Sequence, residues 1–169
     1  QTHILNQKKW IHNFGLNSHG EGMIIGKMFG VLVVRNHNNE LGYLAAFSGK
    51  LAGGNHHDQF VPPVFDTLSQ HGFLNKGMGD LTLLSEQIKA LEENHPEEHE
   101  KIKQLKTARK EHSVSLQNKI FESYHFLNEA GVEKSLVDIF ATAGYKNPPA
   151  GAGECAGLKL LQYAFQNQM

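Results

Sequence analysis

The sequence has few cysteines, no basic excess and no long apolar run. A single cysteine, Cys155, excludes an intrachain disulfide, which is typical of proteins from reducing compartments. No run of about 18 apolar residues occurs, so no membrane-spanning segment is expected. The formal net charge is −1, whereas an autonomous nucleic-acid-binding domain usually has a clear basic excess. Any contact with nucleic acid is therefore expected through a local patch or beside another domain.

The N-terminus has neither an initiating methionine nor the charged-then-apolar pattern of a secretory signal. Hydrophobic residues make up 40% of the chain and charged residues 20%, which favours a globular protein over a disordered one. We expect residues 1–169 to form a single cytoplasmic domain that belongs to a longer protein. Residues 1–22 are expected to be a short helical or irregular lead-in.

Two apolar runs give the clearest β signal. Residues 26–34 and 41–47 are apolar and partly β-branched, and an Asn-rich cluster at 35–40 separates them. This pattern predicts a β-hairpin. Because both runs are apolar at successive positions, the hairpin is expected to be central and covered by helices.

Helical periodicity dominates residues 80–129, where apolar residues recur at helical spacing and Pro96 interrupts the pattern. This predicts a helical hairpin insert with a longer second arm. Residues 101–110 are basic, but nearby glutamates favour a solvated surface over a phosphate-binding one. A last helix is expected over residues 154–166. The fold class is therefore α+β, with a central antiparallel β-hairpin or sheet covered by helices and a projecting coiled-coil-like hairpin.

A candidate site precedes that last helix. A Gly-rich turn at Gly151 and Gly153 leads into a helix N-terminus, which can bind an anion, although a tight turn that docks a core helix explains the residues equally well. Cys155 near the helix start could be a nucleophile or a metal ligand, and a small buried residue is the favoured alternative. The P-loop ending Gly-Lys-Ser/Thr and the dinucleotide-binding pattern Gly-x-Gly-x-x-Gly are both absent.

His56, His57 and Asp58 form the densest cluster of potential metal ligands. Adjacent histidines on a loop rarely bind one ion together, so a polar loop is the favoured interpretation and no metal site is expected. The motifs Gly-x-Ser-x-Gly, Cys-x-x-Cys and His-Glu-x-x-His are absent.

Three segments carry a resemblance to a known family. They are residues 26–34 with 41–49, the Asn55-His56-His57 tripeptide with 60–63, and residues 148–156 with Lys159 to Ala164. Together they resemble the long N-terminal extension of a bacterial subgroup of RluA-type RNA pseudouridine synthases, in which a helical insert of variable length separates the second and third segments. Residues 80–129 fit a short version of that insert.

The resemblance implies a parent enzyme that isomerises uridine to pseudouridine in ribosomal or transfer RNA without a cofactor. Its catalytic Asp lies in an Arg-Leu-Asp motif that this chain lacks, so no catalytic residue is assigned. The chain is expected to be a non-catalytic accessory domain that contributes RNA or partner contacts, with the catalytic domain following it. The residues expected to contact RNA or another anion are Gly151, Gly153, Glu154, Cys155, Lys159, His56 and His57.

Two alternatives remain open. Zinc deaminases place Cys-x-Glu at a helix start, so the chain could be a degenerate deaminase-like domain with Cys155 as a remnant ligand. Gly157 stands where the proton-shuttling Glu is needed, however, and no second cysteine exists. Alternatively, the helical hairpin could be a structural module that makes the protein a homodimer.

Overall fold

A computed structural model describes residues 26–69 and 72–169, so the expected lead-in lies outside the described residues. The described elements are β1 (Phe29–Arg35), β2 (Leu41–Phe47), α1 (Phe73–Asn94), α2 (His99–Ser123), β3 (His125–Leu127), β4 (Glu133–Ser135), α3 (Leu136–Thr142) and α4 (Ala156–Gln166). Strands β1 and β2 form one two-stranded sheet, and β3 and β4 form another. The α+β class predicted from the sequence is confirmed.

The described chain divides into two compact units. The first contains residues 26–64, Phe126–Glu133 and Gly151–Met169, and the second contains Phe65–His125 and Lys134–Ala150. The single domain expected over residues 1–169 stays a prediction.

The predicted hairpin is present in the first unit. β1 and β2 pair antiparallel, from Phe29 opposite Phe47 to Arg35 opposite Leu41. Asn36 organises the turn, because its side-chain oxygen accepts hydrogen bonds from the backbone N–H groups of Asn38 and Glu40, both at 3.0 Å. Asn39 adopts a φ of 64°, a left-handed conformation that Asn tolerates better than most residues. The Asn-rich cluster therefore forms the turn through its own side chains.

One face of the hairpin packs against α4. The buried core of this unit consists of Ala46, Val61, Ala156 and Leu160, with Leu32, Leu44 and Tyr163 packed around it. Gly30 lets the helix approach closely, because a Cβ added there would lie 3.0 Å from Leu160 Cδ1 and 3.2 Å from Ala156 Cβ. The contact of the hairpin with the last helix thus depends on a strand position without a side chain.

The opposite face of the hairpin differs from the sequence expectation. Val31, Val33 and Tyr43 are 68%, 65% and 75% exposed. Phe60 covers only one end of this face, where its ring lies 6.1 Å from the ring of Phe29 and 5.1 Å from that of Phe47. Continuous apolar character predicted coverage of both faces, but β-branched and aromatic residues also favour strands for conformational reasons. In the described part of the chain, a helix covers only one face of the hairpin.

Gly30→Val should lower the free energy of unfolding by about 1–2 kcal/mol, because its side chain would overpack the strand against α4. Gly42→Val is the matched control. Gly42 lies on the same face, opposite Val34, and has open space around it, so the change should be neutral or slightly stabilising. Urea denaturation of both variants measures the difference. Equal effects of the two substitutions would show that Gly30 is not a packing requirement.

The helical hairpin of the second unit consists of α1 and α2, joined by residues 95–98 around Pro96, and α2 is the longer arm. α1 begins seven residues before the predicted start at residue 80, and β3 lies within the predicted helical span. The early start was hidden by Gly77 and Gly79, which are poor helix formers. A Cβ at Gly77 would nevertheless overlap the side chain of Leu116 on α2, so close packing of the two helices favours glycine there.

The last helix begins at Ala156, two residues after the predicted start, and Cys155 is its extended N-cap residue. Gly151 and Gly153 adopt φ values of 79° and 94°, in the left-handed region that glycine occupies without strain. The Gly-rich loop is therefore a turn that needs glycine at both positions.

Among the described residues, no helix combines the length and apolar character needed to cross a membrane.

Candidate functional site at the strand–helix junction

The end of β2 meets the start of α4 at what we call the strand–helix junction, formed by residues 47–49 and 154–159. The Gly49 N–H donates to the carbonyl of Glu154 at 3.0 Å. The first amide of α4, on Ala156, donates to the Ser48 hydroxyl at 3.1 Å. Ser48 thus satisfies one of the helix's unpaired N–H groups from a distant part of the chain, in place of a side chain at the N-cap.

Lys159 is the chemical centre of the junction. Its side chain is 2% exposed, although lysine is almost never buried without partners. The ammonium Nζ donates to the carbonyl of Phe47 at 3.1 Å and to that of Gly49 at 3.3 Å. It also lies 3.5 Å from Glu154 Oε2 and 5.1 Å from the centroid of the Phe47 ring. These contacts satisfy the buried charge and bind α4 to the end of the hairpin.

The electrostatics of this ammonium reflect two opposing effects. Burial lowers the pKa of Lys159 below its ordinary value, and the neighbouring Glu154 carboxylate opposes that decrease. The net direction is downward. Burial of the ammonium therefore outweighs the attraction of the Glu154 carboxylate in setting the direction of this pKa shift.

The two histidines differ in their surroundings. His57 is half-buried, and its Nε2–H donates to the carbonyl of Leu51 at 2.7 Å. Its ring packs edge-on against Phe47, with 5.4 Å between the ring centroids. His56 is exposed. His57 therefore packs against Phe47, whose carbonyl accepts a hydrogen bond from Lys159, while His56 is exposed to solvent.

Of the seven residues predicted to contact an anion, Glu154, Cys155 and Lys159 meet at the junction, and His57 packs against its Phe47. Gly151 and Gly153 form the preceding turn, where Gly151 is exposed and Gly153 is buried. Lys159 and the first amide of α4 are already engaged with protein groups, so they present little surface to a phosphate. RNA contact by this set stays a prediction.

Ser48 and Phe47 belong to the junction but were not among the site residues predicted from the sequence. Both lie at the end of a predicted strand, and a polar Ser followed by Gly is the only local signal. Their partners lie 108 and 112 positions away along the chain. A pairing at that separation has no sequence signature in a single chain.

The described residues contain no group of three His, Cys, Asp or Glu side chains close enough together to hold a metal ion. The Cys155 thiol is free and exposed at the N-cap. The junction is thus a network of hydrogen bonds and charge that joins two distant segments.

Neither a protein-family model, nor a curated protein, nor a solved structure matches this chain.

Proposed function

We propose that this chain is a non-catalytic accessory domain of a cytoplasmic RluA-type RNA pseudouridine synthase, which contributes RNA or partner contacts to a catalytic domain that follows it. The observation that carries the proposal is the meeting of three distant segments in one unit. These are the segments on which the family resemblance rests.

Specific contacts join the three segments. Val61, from the second segment, donates its backbone N–H to the carbonyl of Ala45 in β2 at 2.9 Å. Its side chain shares a buried core with Ala46 of the first segment and with Ala156 and Leu160 of the third. Lys159 and Ser48 add the polar contacts of the junction. Segments that resemble one family extension thus form one packed structure here, which supports a common origin.

The helical hairpin supports the same proposal. The family places an insert of variable length between its second and third segments, and α1 and α2 lie between them here. Both helices belong to the second compact unit. The three resembling segments belong to the first unit, except for residues 148–150. Such a division is what an insert needs if its length is to vary without disturbing the unit that carries it.

The test uses the full-length parent, whose reading frame should continue past Met169 into an Arg-Leu-Asp motif. Deletion of residues 1–169 should leave a folded catalytic domain with reduced RNA affinity or reduced pseudouridine formation. Circular dichroism of the truncated enzyme checks its folding, and the pseudouridine yield on total RNA measures the effect. Unchanged binding and unchanged modification after deletion would rule out the accessory role, and a reading frame without that motif would rule out the parent.

A further inference from the structure

We infer that one side of α2 binds the phosphate backbone of RNA, through a cation face formed by Lys103, Lys106, Arg109 and Lys110. The inference rests on the proposed function and names the surface that makes the RNA contact. At 100° per residue, these four positions fall within an arc of about 120° on the helix. They extend over about 10 Å of its length, at 1.5 Å per residue.

α2 has an excess of positive charge. Its six lysine and arginine side chains outnumber the three carboxylates on the same helix, those of Glu100, Glu111 and Glu122, although the whole chain has a net charge of −1. All four side chains of the cation face are exposed. A mixed-charge solvated surface, the expectation from the sequence, would intersperse the two signs. Here the local excess is positive.

Few carboxylates neutralise the cation face. Lys106 pairs with Glu92 of α1 at 2.7 Å, while Glu98 pairs with Lys101 at 2.9 Å on another side of the helix. Lys103, Arg109 and Lys110 form no ion pair with any residue in the described ranges. Three exposed cations therefore remain available to an external anion.

Helix stability does not explain this arrangement. Lys103 and Arg109 each lie three positions from Lys106, and Lys110 lies four positions from it. Like charges at these spacings are neighbours on a helix surface and destabilise it. An anionic partner removes that repulsion, because each phosphate neutralises a cation and releases a counterion.

The residue types indicate which part of the RNA is recognised. Lysine and arginine both bind phosphate oxygens, and the arginine guanidinium can do so with two parallel hydrogen bonds. The cation face contains no aromatic residue on which a base could stack. It should therefore position RNA by its backbone, with little preference for sequence.

The test compares two triple variants of the 169-residue chain in binding to a fluorescein-labelled RNA hairpin. Lys103→Gln, Arg109→Gln and Lys110→Gln are combined in the first. The charge-matched control combines Lys76→Gln, Lys134→Gln and Lys146→Gln, all at exposed lysines elsewhere. We expect the first to weaken binding at low salt about tenfold or more, and the control less than twofold. The slope of log K against log salt should fall by about 2–3 in the first variant, at about 0.7–0.9 per lost phosphate contact.

Equal weakening in both variants, or an unchanged salt slope in the first, would overturn the inference. The proposed function could then still stand, because deletion of residues 1–169 from the full-length enzyme tests it separately. A chain that binds no RNA while that deletion lowers modification would also overturn the inference and would point to a protein partner. Glutamine is a good helix former, and far-ultraviolet circular dichroism verifies that both triple variants keep their helices.

Discussion

Lys159→Met should lower the free energy of unfolding by about 2–4 kcal/mol. The substitution removes the donor that serves the carbonyls of Phe47 and Gly49, of which the bond to Phe47 is buried and the bond to Gly49 is partly buried. It also leaves the Glu154 carboxylate, 23% exposed, without its cationic partner. Urea denaturation of the whole chain measures the loss.

Two further variants test whether loss of the buried ammonium and its ion pair causes this loss of stability. Lys89→Met removes an exposed lysine that lies 3.8 Å from Glu93, and such surface pairs contribute little, so a change below about 0.5 kcal/mol is expected. Adding Glu154→Gln to Lys159→Met should recover about 1 kcal/mol, because the carboxylate that lost the Lys159 ammonium is then replaced by a neutral amide. If Lys89→Met and Lys159→Met were equally mild, the buried ammonium would have no structural role.

The same residue should give stability a pH dependence. The pKa of Lys159 is lowered in the folded protein, below the ordinary value of about 10.4. Between the folded and unfolded pKa values the unfolded chain binds more protons at this position, so the free energy of unfolding rises with pH there. The penalty for holding the ammonium is fully present below the folded pKa. Lys159→Met should remove this rise in the free energy of unfolding at alkaline pH. The difference in the free energy of unfolding between the two proteins, followed across pH, measures the effect.

Gly77→Ala should destabilise the protein by about 1–3 kcal/mol, although alanine is normally the better helix former. The added methyl group would overlap the side chain of Leu116, which is 6% exposed and cannot move into solvent without losing its burial. α1 and α2 would have to separate, or Leu116 would have to leave its rotamer. The chemical denaturation midpoint and its slope measure the change.

Gly79→Ala is the matched control in the same helix, because nothing lies within 4 Å of a Cβ at that position. It should stabilise the protein by about 0.5–1 kcal/mol through helix propensity alone. The opposite signs expected for two glycines separated by one residue make the pair diagnostic. A stabilising Gly77→Ala would mean that Leu116 can rearrange freely and that close helix packing does not require Gly77.

The sequence predicted the local features of the fold well. The Asn-rich cluster at residues 35–40 and the two apolar runs around it define a hairpin through short-range chemistry alone. The helical repeat around Pro96 defines α1 and α2 in the same way. The boundary at Phe73 was missed because Gly77 disfavours a helix by propensity, and the advantage that outweighs it is a contact with Leu116, 39 positions away.

The candidate site was less predictable because its chemistry depends on distant pairs. Lys159 falls in an apolar helix pattern, where a solvent-directed side chain is the ordinary expectation. Its burial follows from the carbonyls of Phe47 and Gly49, which no pattern around residue 159 reveals. One-sided coverage of the hairpin has a similar cause, since strand residues such as Val31 and Val33 look alike in sequence whether or not a helix packs on them.

The contact between Phe65 and Tyr124 has a consequence for folding kinetics. Their ring centroids lie 5.7 Å apart, so the chain that leaves for the helical hairpin returns to nearly the same place. Contacts within that hairpin are close in sequence and should form early, whereas Ser48 must find Ala156 across more than 100 residues. If the hairpin closes first, it removes some 60 residues from the loop that the junction must then close, which lowers the entropy cost of that step.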